Sequence, residues 1–167
     1  METLGQELDT QGITDYQIWP GIAGRPAWRG VTSAHHQIVA FAQAQGLESV
    51  VIAEDDIRCT ASGAYRYFLN HTPIEYDLYL GGITWRRPGD EKRTEKFAGL
   101  TLYRVHQRFF ETFLAAGSND HLDRSLSGKG MFMVCDPLVA KQHPGYSDNE
   151  SREVNYEHNV SHMRFLK

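Results

Sequence analysis

Val50-Val51-Ile52-Ala53-Glu54-Asp55-Asp56 runs four small or β-branched apolar residues straight into three carboxylates. The apolar half reads as a short, fully buried strand of the kind found in the middle of a parallel sheet. The acids then fall at the carboxyl end of that strand, where open α/β sheets place their ligands. Adjacent carboxylates repel: two of them about 5 Å apart at an effective dielectric near 20 cost roughly 3 kcal/mol. Ser, Asn or Gly would make a soluble turn without that cost. A divalent cation removes it, and carboxylate oxygens suit Mg²⁺ or Mn²⁺. Alternation along an extended chain puts Glu54 and Asp56 on one side and turns Asp55 away. The competing reading of these residues is a solvated acidic turn after a buried strand.

The 167 residues are enough for one domain with a real core. With 41% hydrophobic residues, 23% charged and a net charge of −4, there is no electrostatic case for non-specific nucleic-acid binding, which wants a basic face. A nucleic-acid substrate held locally stays open. Cys59 and Cys135 lie far apart without a CxxC partner, so neither a zinc site nor a disulfide framework is indicated. The polar start (Glu2, Gln6, Glu7, Asp9) lacks a signal-peptide pattern, and no apolar run is long enough to span a membrane. A reducing, cytoplasmic setting is the default expectation.

Working outward from the acids, Leu4 and Leu8 predict a helix over 2–11, stopped by Gly12. Residues 13–30 read as irregular, with Pro20, Pro26, Trp19 and Trp28. Thr32-Ser33 is a good N-cap for a helix over 34–45, with Ile38, Val39, Phe41 and Ala42 inward and His35 and His36 in its first turn. Gly46 closes it, and helix and strand form one αβ unit. Residues 62–69 predict a short helix with Tyr65, Phe68 and Leu69 inward. A second strand over 76–80 ends in Gly81-Gly82, a pair that either lets the backbone approach a ligand or makes a simple turn. The polar stretch 86–96, with Pro88-Gly89, reads as a mobile surface loop and candidate lid. Residues 99–106 alternate as a strand, with Leu100 and Leu102 set against Thr101 and Tyr103. A helix over 107–115 buries Phe109, Phe110 and Phe113, a helical turn covers 121–126, and 131–135 is another buried strand. From Gln142 onward the chain is a polar, weakly patterned tail.

Several of these pieces occur in a recognisable order: Gly30-Val31-Thr32-Ser33-Ala34-His35, the strand with Glu54-Asp55-Asp56, the strand 77–80 with Gly81-Gly82, His121-Leu122-Asp123, and 137–142 with Gly145-Tyr146-Ser147-Asp148. Together, over roughly residues 12–156, they resemble the family 25 glycosyltransferases, the lipooligosaccharide and procollagen sugar-transfer enzymes of GT-A fold. The resemblance implies an α/β, GT-A-like (Rossmann-like) single domain over residues 1–167, with a mostly parallel sheet flanked by helices. It implies a nucleotide-sugar donor, a UDP-sugar first among them, and Mn²⁺ or Mg²⁺ bridging the diphosphate. Glu54-Asp55-Asp56 would stand in for the family's Asp-x-Asp motif, with Asp56 ligating the metal and Glu54 sharing it or lying toward the ribose. Asp55, Gly81, Gly82 and His35 would line the donor site, and His143 would be a further metal ligand. Asp123 would be the general base that takes the acceptor's proton, with Asp148 as second choice for the base or as a metal or donor residue.

Transfer in this family is inverting, a single in-line displacement onto a hydroxyl of a glycan, a lipid-linked glycan such as a lipopolysaccharide precursor, or a protein. The family opens with a strand that helps hold the nucleotide base, whereas this chain starts at the helix that follows it. The expectation is therefore an N-terminally short domain whose sheet edge invites a partner chain, a second copy included. Two other readings compete. One is a non-catalytic nucleotide- or sugar-binding module derived from such an enzyme. The other is a phosphoacceptor signalling domain, disfavoured because those carry their acid pair at the first strand.

Overall fold

The computed structural model describes residues 2–167 apart from 88, 89, 91, 118 and 148, and of residues 2 and 3 the backbone alone. The predicted Pro88-Gly89 turn lies outside the described residues. Helix α1 (Glu2–Thr10) stops before Gly12, whose φ of +67° is the left-handed value that glycine adopts without a Cβ penalty. Helix α2 (Ala27–Ala44) begins about two turns earlier than its predicted N-cap. Ser33 does not cap it; its hydroxyl donates to the Arg29 carbonyl at 2.8 Å. The extra turns are held by close packing on the preceding loop, where a Cβ on Gly30 would sit 1.9 Å from the Ile22 carbonyl oxygen. That contact overrides glycine's low helix propensity.

Strands β1 (Ser49–Ala53) and β2 (Ile57–Cys59) flank the acids, and helix α3 (Ala64–Asn70) follows. Next come β3 (Leu78–Gly82), β4 (Trp85–Arg86), β5 (Arg93–Thr94), β6 (Phe97–Ala98) and β7 (Leu102–His106). A 3-10 turn over Gln107–Phe109 leads into α4 (Phe110–Leu114), and α5 (Leu122–Leu126) precedes β8 (Phe132–Val134). The chain continues with β9 (Ala140–Gln142), β10 (Gly145–Ser147) and β11 (Arg152–Val154).

Five strands form the main sheet in the order β1-β7-β3-β8-β5. β7 is antiparallel to both β1 and β3, β3 and β8 are parallel, and β5 is antiparallel to β8. The protein is thus an α/β domain with a mixed, mostly antiparallel sheet, which corrects the mostly parallel sheet expected. β1 is an edge strand, half-buried rather than central. An apolar run reports burial between covering layers. It carries no information on the direction of the neighbouring strand.

Both faces of the sheet are covered. Val39, Ile52, Leu78, Leu80, Tyr103, Val105, Phe113 and Phe132 pack on the face under α2, α4 and α5. Ala64, Phe68, Tyr79, Leu102 and Val139 pack on the face under α3. Tyr103, set by alternation among the polar positions, is therefore completely buried. In α3, Ala64 and Phe68 point inward, and Leu69 is exposed instead. The polar stretch 86–96 is not wholly a free loop, because β5 joins the sheet with Thr94 buried opposite Phe132.

Gly81 and Gly82 have a packing role. A Cβ on Gly81 would meet Phe68 Cδ2 at 2.8 Å and Leu102 Cδ2 at 3.0 Å, and one on Gly82 would meet Ala140 Cβ at 3.0 Å. The two glycines let α3 and β9 close onto the sheet. Gly81→Ala should lower stability by about 1–3 kcal/mol in urea unfolding, the usual cost of overpacking.

Candidate functional site

β1 hands its ladder on to the first acid: Glu54 N donates to Thr101 O at 3.0 Å. The chain then turns sharply, with Ile57 N donating back to Glu54 O at 3.2 Å, so Asp55 sits at the exposed apex. Glu54 and Asp56 are half-buried on either side of it. Asp56 is gripped from β9. Its Oδ2 accepts from Gln142 Nε2 at 2.5 Å, and its carbonyl accepts from His143 N at 2.7 Å. Its Oδ1 is buried and has no hydrogen-bond partner among the described residues. Glu54 Oε1 lies 3.9 Å from Nε2 of His35, a buried residue of α2 whose Nδ1 is 2.7 Å from the Tyr103 hydroxyl. Asp123, in the first turn of α5, accepts from Gly99 N at 2.9 Å and from Arg124 N at 2.7 Å.

The electrostatics follow from that crowding. Burial, and then the charges of Asp56, Asp123 and Asp55, push Glu54 up to about 8. Burial also raises Asp56, with Asp55 adding to the rise, against the hydrogen bond from Gln142 and the nearby His143. Burial and then His36 push His35 down to about 4, so its ring is neutral at pH 7. Tyr103 is raised by burial and by Glu54. Tyr156 feels Asp56 and Glu54 as well, after burial and Glu150, which brings it to the margin of the same cluster.

Of the residues singled out in the sequence, Asp55, Asp56 and Asp123 come within electrostatic reach of Glu54, and Asp55 and His143 within reach of Asp56. His35 is set back: it is 6% exposed and meets the site through Glu54. Asp148 lies outside the described residues. Sequence reasoning missed Gln142, Tyr103 and Tyr156. Tyr103 had a usable signal, as the one large ring on a strand that both layers cover; Gln142 had none, since β9 becomes a partner of β2 only in the fold.

Among the described residues, no group of three His, Cys, Asp or Glu side chains is gathered to hold a metal ion. The donor chemistry still fits a hard cation in part: among the described residues Asp56 Oδ1 is a buried oxygen without a partner, and the carboxylates around Glu54 all raise its pKa. Mg²⁺ is commonly held by one or two carboxylates, with substrate phosphates completing the shell.

No protein-family model matches the chain, and no curated protein does. Among solved structures, the chain is similar to one titled "Crystal Structure of A197 from STIV", at 11% identity and a TM-score of 0.47, over 74% of each chain.

Glu54 gives up its proton near 4.5 when unfolded but holds it to about 8 in the folded protein, so across that window the native state binds more protons. Stability therefore falls as pH rises through it. His35, lowered from 6.5 to about 4, acts in the opposite sense, and stability rises with pH between those values. The two offset each other at mildly acid pH, and the net fall comes between about 6.5 and 8. Glu54→Gln should stabilise the protein by roughly 4 kcal/mol at pH 8 and by almost nothing at pH 4, read by chemical denaturation. An equal effect at both pH values would contradict the shift.

Proposed function

We propose that the chain is a metal-dependent glycosyltransferase domain that moves a sugar from a nucleotide-sugar donor to a hydroxyl acceptor with inversion. The observation that carries this reading is Asp56, whose one oxygen is fixed by Gln142 while the other is buried without a partner among the described residues, beside a Glu54 crowded by like charges. A GT-A-like fold belongs to the same reading. β1, β3 and β8 share one direction, β7 and β5 are reversed, and the acids stand at the carboxyl end of β1.

Asp56 and Glu54 would hold Mn²⁺ or Mg²⁺; among the described residues His143, expected as a further ligand, is not gathered with them into a three-residue group. Bound there, the cation would neutralise the charge that builds on a departing diphosphate. The chain's own groups supply the rest. Neutral His35, itself held by the Tyr103 hydroxyl, backs Glu54 from beneath without adding charge. Asp123 is the candidate base. Its two oxygens each accept one backbone N–H, which fixes the carboxylate and leaves lone pairs for an acceptor proton. The acceptor is a glycan, lipid-linked glycan or protein hydroxyl, the setting is cytoplasmic, and the free edge of β1 offers a second copy a place to pair. A second reading, a non-catalytic nucleotide- or sugar-binding module, is favoured by the absence of a three-residue ligand group among the described residues.

Mn²⁺ together with a UDP-sugar should raise the melting temperature and support donor hydrolysis or sugar transfer. A ligand at about 100 times its Kd adds roughly 2.7 kcal/mol. Asp56→Asn should abolish metal-dependent turnover and keep the fold. Transfer undiminished in that variant rejects the site, whereas calorimetric donor binding without turnover on any acceptor selects the binding module.

A further inference from the structure

The back of the β2–β9 ladder carries a groove that the acid site does not use. The antiparallel register sets Ile57 opposite Gln142 and Arg58 opposite Lys141. Side chains alternate along a strand, so Gln142, which holds Asp56, and Lys141 leave the ladder on opposite faces. On the Lys141 face lies a cavity of about 870 Å³ lined by Arg58, Thr60, Lys141, Met163, Arg164 and Phe165 among others. Among the described residues, no Asp or Glu lines it.

Like charges directly across an antiparallel pair destabilise it, so the ladder itself gains nothing from Arg58 beside Lys141. The existing contacts flank the two cations and do not bridge them. Arg58 Nη2 meets Glu157 Oε1 at 3.0 Å in a pair that is 39% and 49% exposed. Lys141 Nζ sits 4.2 Å from the centre of the Phe165 ring, and Arg164 is paired with Asp136 on the rim. An anion bound between Arg58 and Lys141 turns that repulsion into two charge-assisted hydrogen bonds; Thr60 lines the same wall, its hydroxyl donating to the Val139 carbonyl at 3.3 Å.

We infer that this groove binds an organic phosphate: a phosphate or diphosphate whose oxygens lie between Arg58 and Lys141, joined to an apolar or ring-bearing body that rests on Met163 and Phe165. The cavity is larger than a bare phosphate needs, and its apolar wall explains why the ligand carries a body. The chain's net charge of −4 disfavours an extended polyanion such as nucleic acid, or an anionic membrane surface. The site is separate from Asp56 and does not depend on the glycosyltransferase reading.

The test is calorimetric titration of the full chain in EDTA, which removes divalent cations from the Asp56 site. The probes are inorganic pyrophosphate and dihexanoyl phosphatidate below its micelle concentration. Both should bind, the phosphatidate more tightly. The double variant R58Q/K141Q should weaken each by about tenfold or more, while Lys141→Arg and Asp56→Asn leave both unchanged. Urea midpoints accompany every variant, and if the double variant fails to fold, the same loss is read from Lys141→Gln alone. The inference is overturned if neither probe binds, if the charge-removing variants bind like the parent, or if only a short oligonucleotide or phosphatidylglycerol vesicles bind. Because metal is absent throughout, this result and the Mn²⁺ experiment stand or fall separately.

Discussion

The pairing of β1 with β7 is the constraint on which the rest depends. It runs from Ser49 opposite His106 to Ala53 opposite Leu102 and is carried one step further by Glu54 and Thr101. That register places Tyr103 opposite Ile52 and turns both into the layer beneath α2. A slip of one residue would send Tyr103 to the α3 face and leave His35 without its hydroxyl partner. The ladder therefore settles where the strand ends, and also what lies under the acid that follows it.

What lies there is costly. A half-buried Glu54 faces three other carboxylates and a histidine that burial keeps neutral. The bonds around the cluster divide by atom. Among the described residues, Asp123 uses both oxygens on backbone N–H groups, Asp56 uses one on the Gln142 side-chain amide, and Glu54 faces the His35 ring at 3.9 Å. A structural acid cluster would be expected to satisfy its buried oxygens first, because an unpaired buried acceptor costs more than a hydrogen bond returns. Among the described residues that demand is unmet at Asp56 Oδ1.

The β2–β9 ladder keeps opposite charges on opposite faces. Gln142 and His143 attend to Asp56 at one end, while Arg58 and Lys141 gather on the other face. Period-two alternation along two short strands is enough to hold these environments apart at a spacing of a few ångströms. One three-residue strand thus serves two surfaces of opposite sign.

Much of this was legible in the chain itself. Composition and the apolar runs at 50–53, 78–80 and 131–135 specify an α/β domain, and the unbroken passage from Ile52 into Glu54-Asp55-Asp56 marks the acids at a strand end. Local residues decide both, because period and burial are properties of a single segment. Strand direction, the edge position of β1, the early start of α2 on Gly30 and the packing role of Gly81 were decided by tertiary structure alone. Each depends on a neighbour distant in sequence: β7 for β1, the Ile22 loop for Gly30, Phe68 for Gly81. The same holds for Gln142 at Asp56 and Lys141 beside Arg58, since no local pattern states which strand β9 will join.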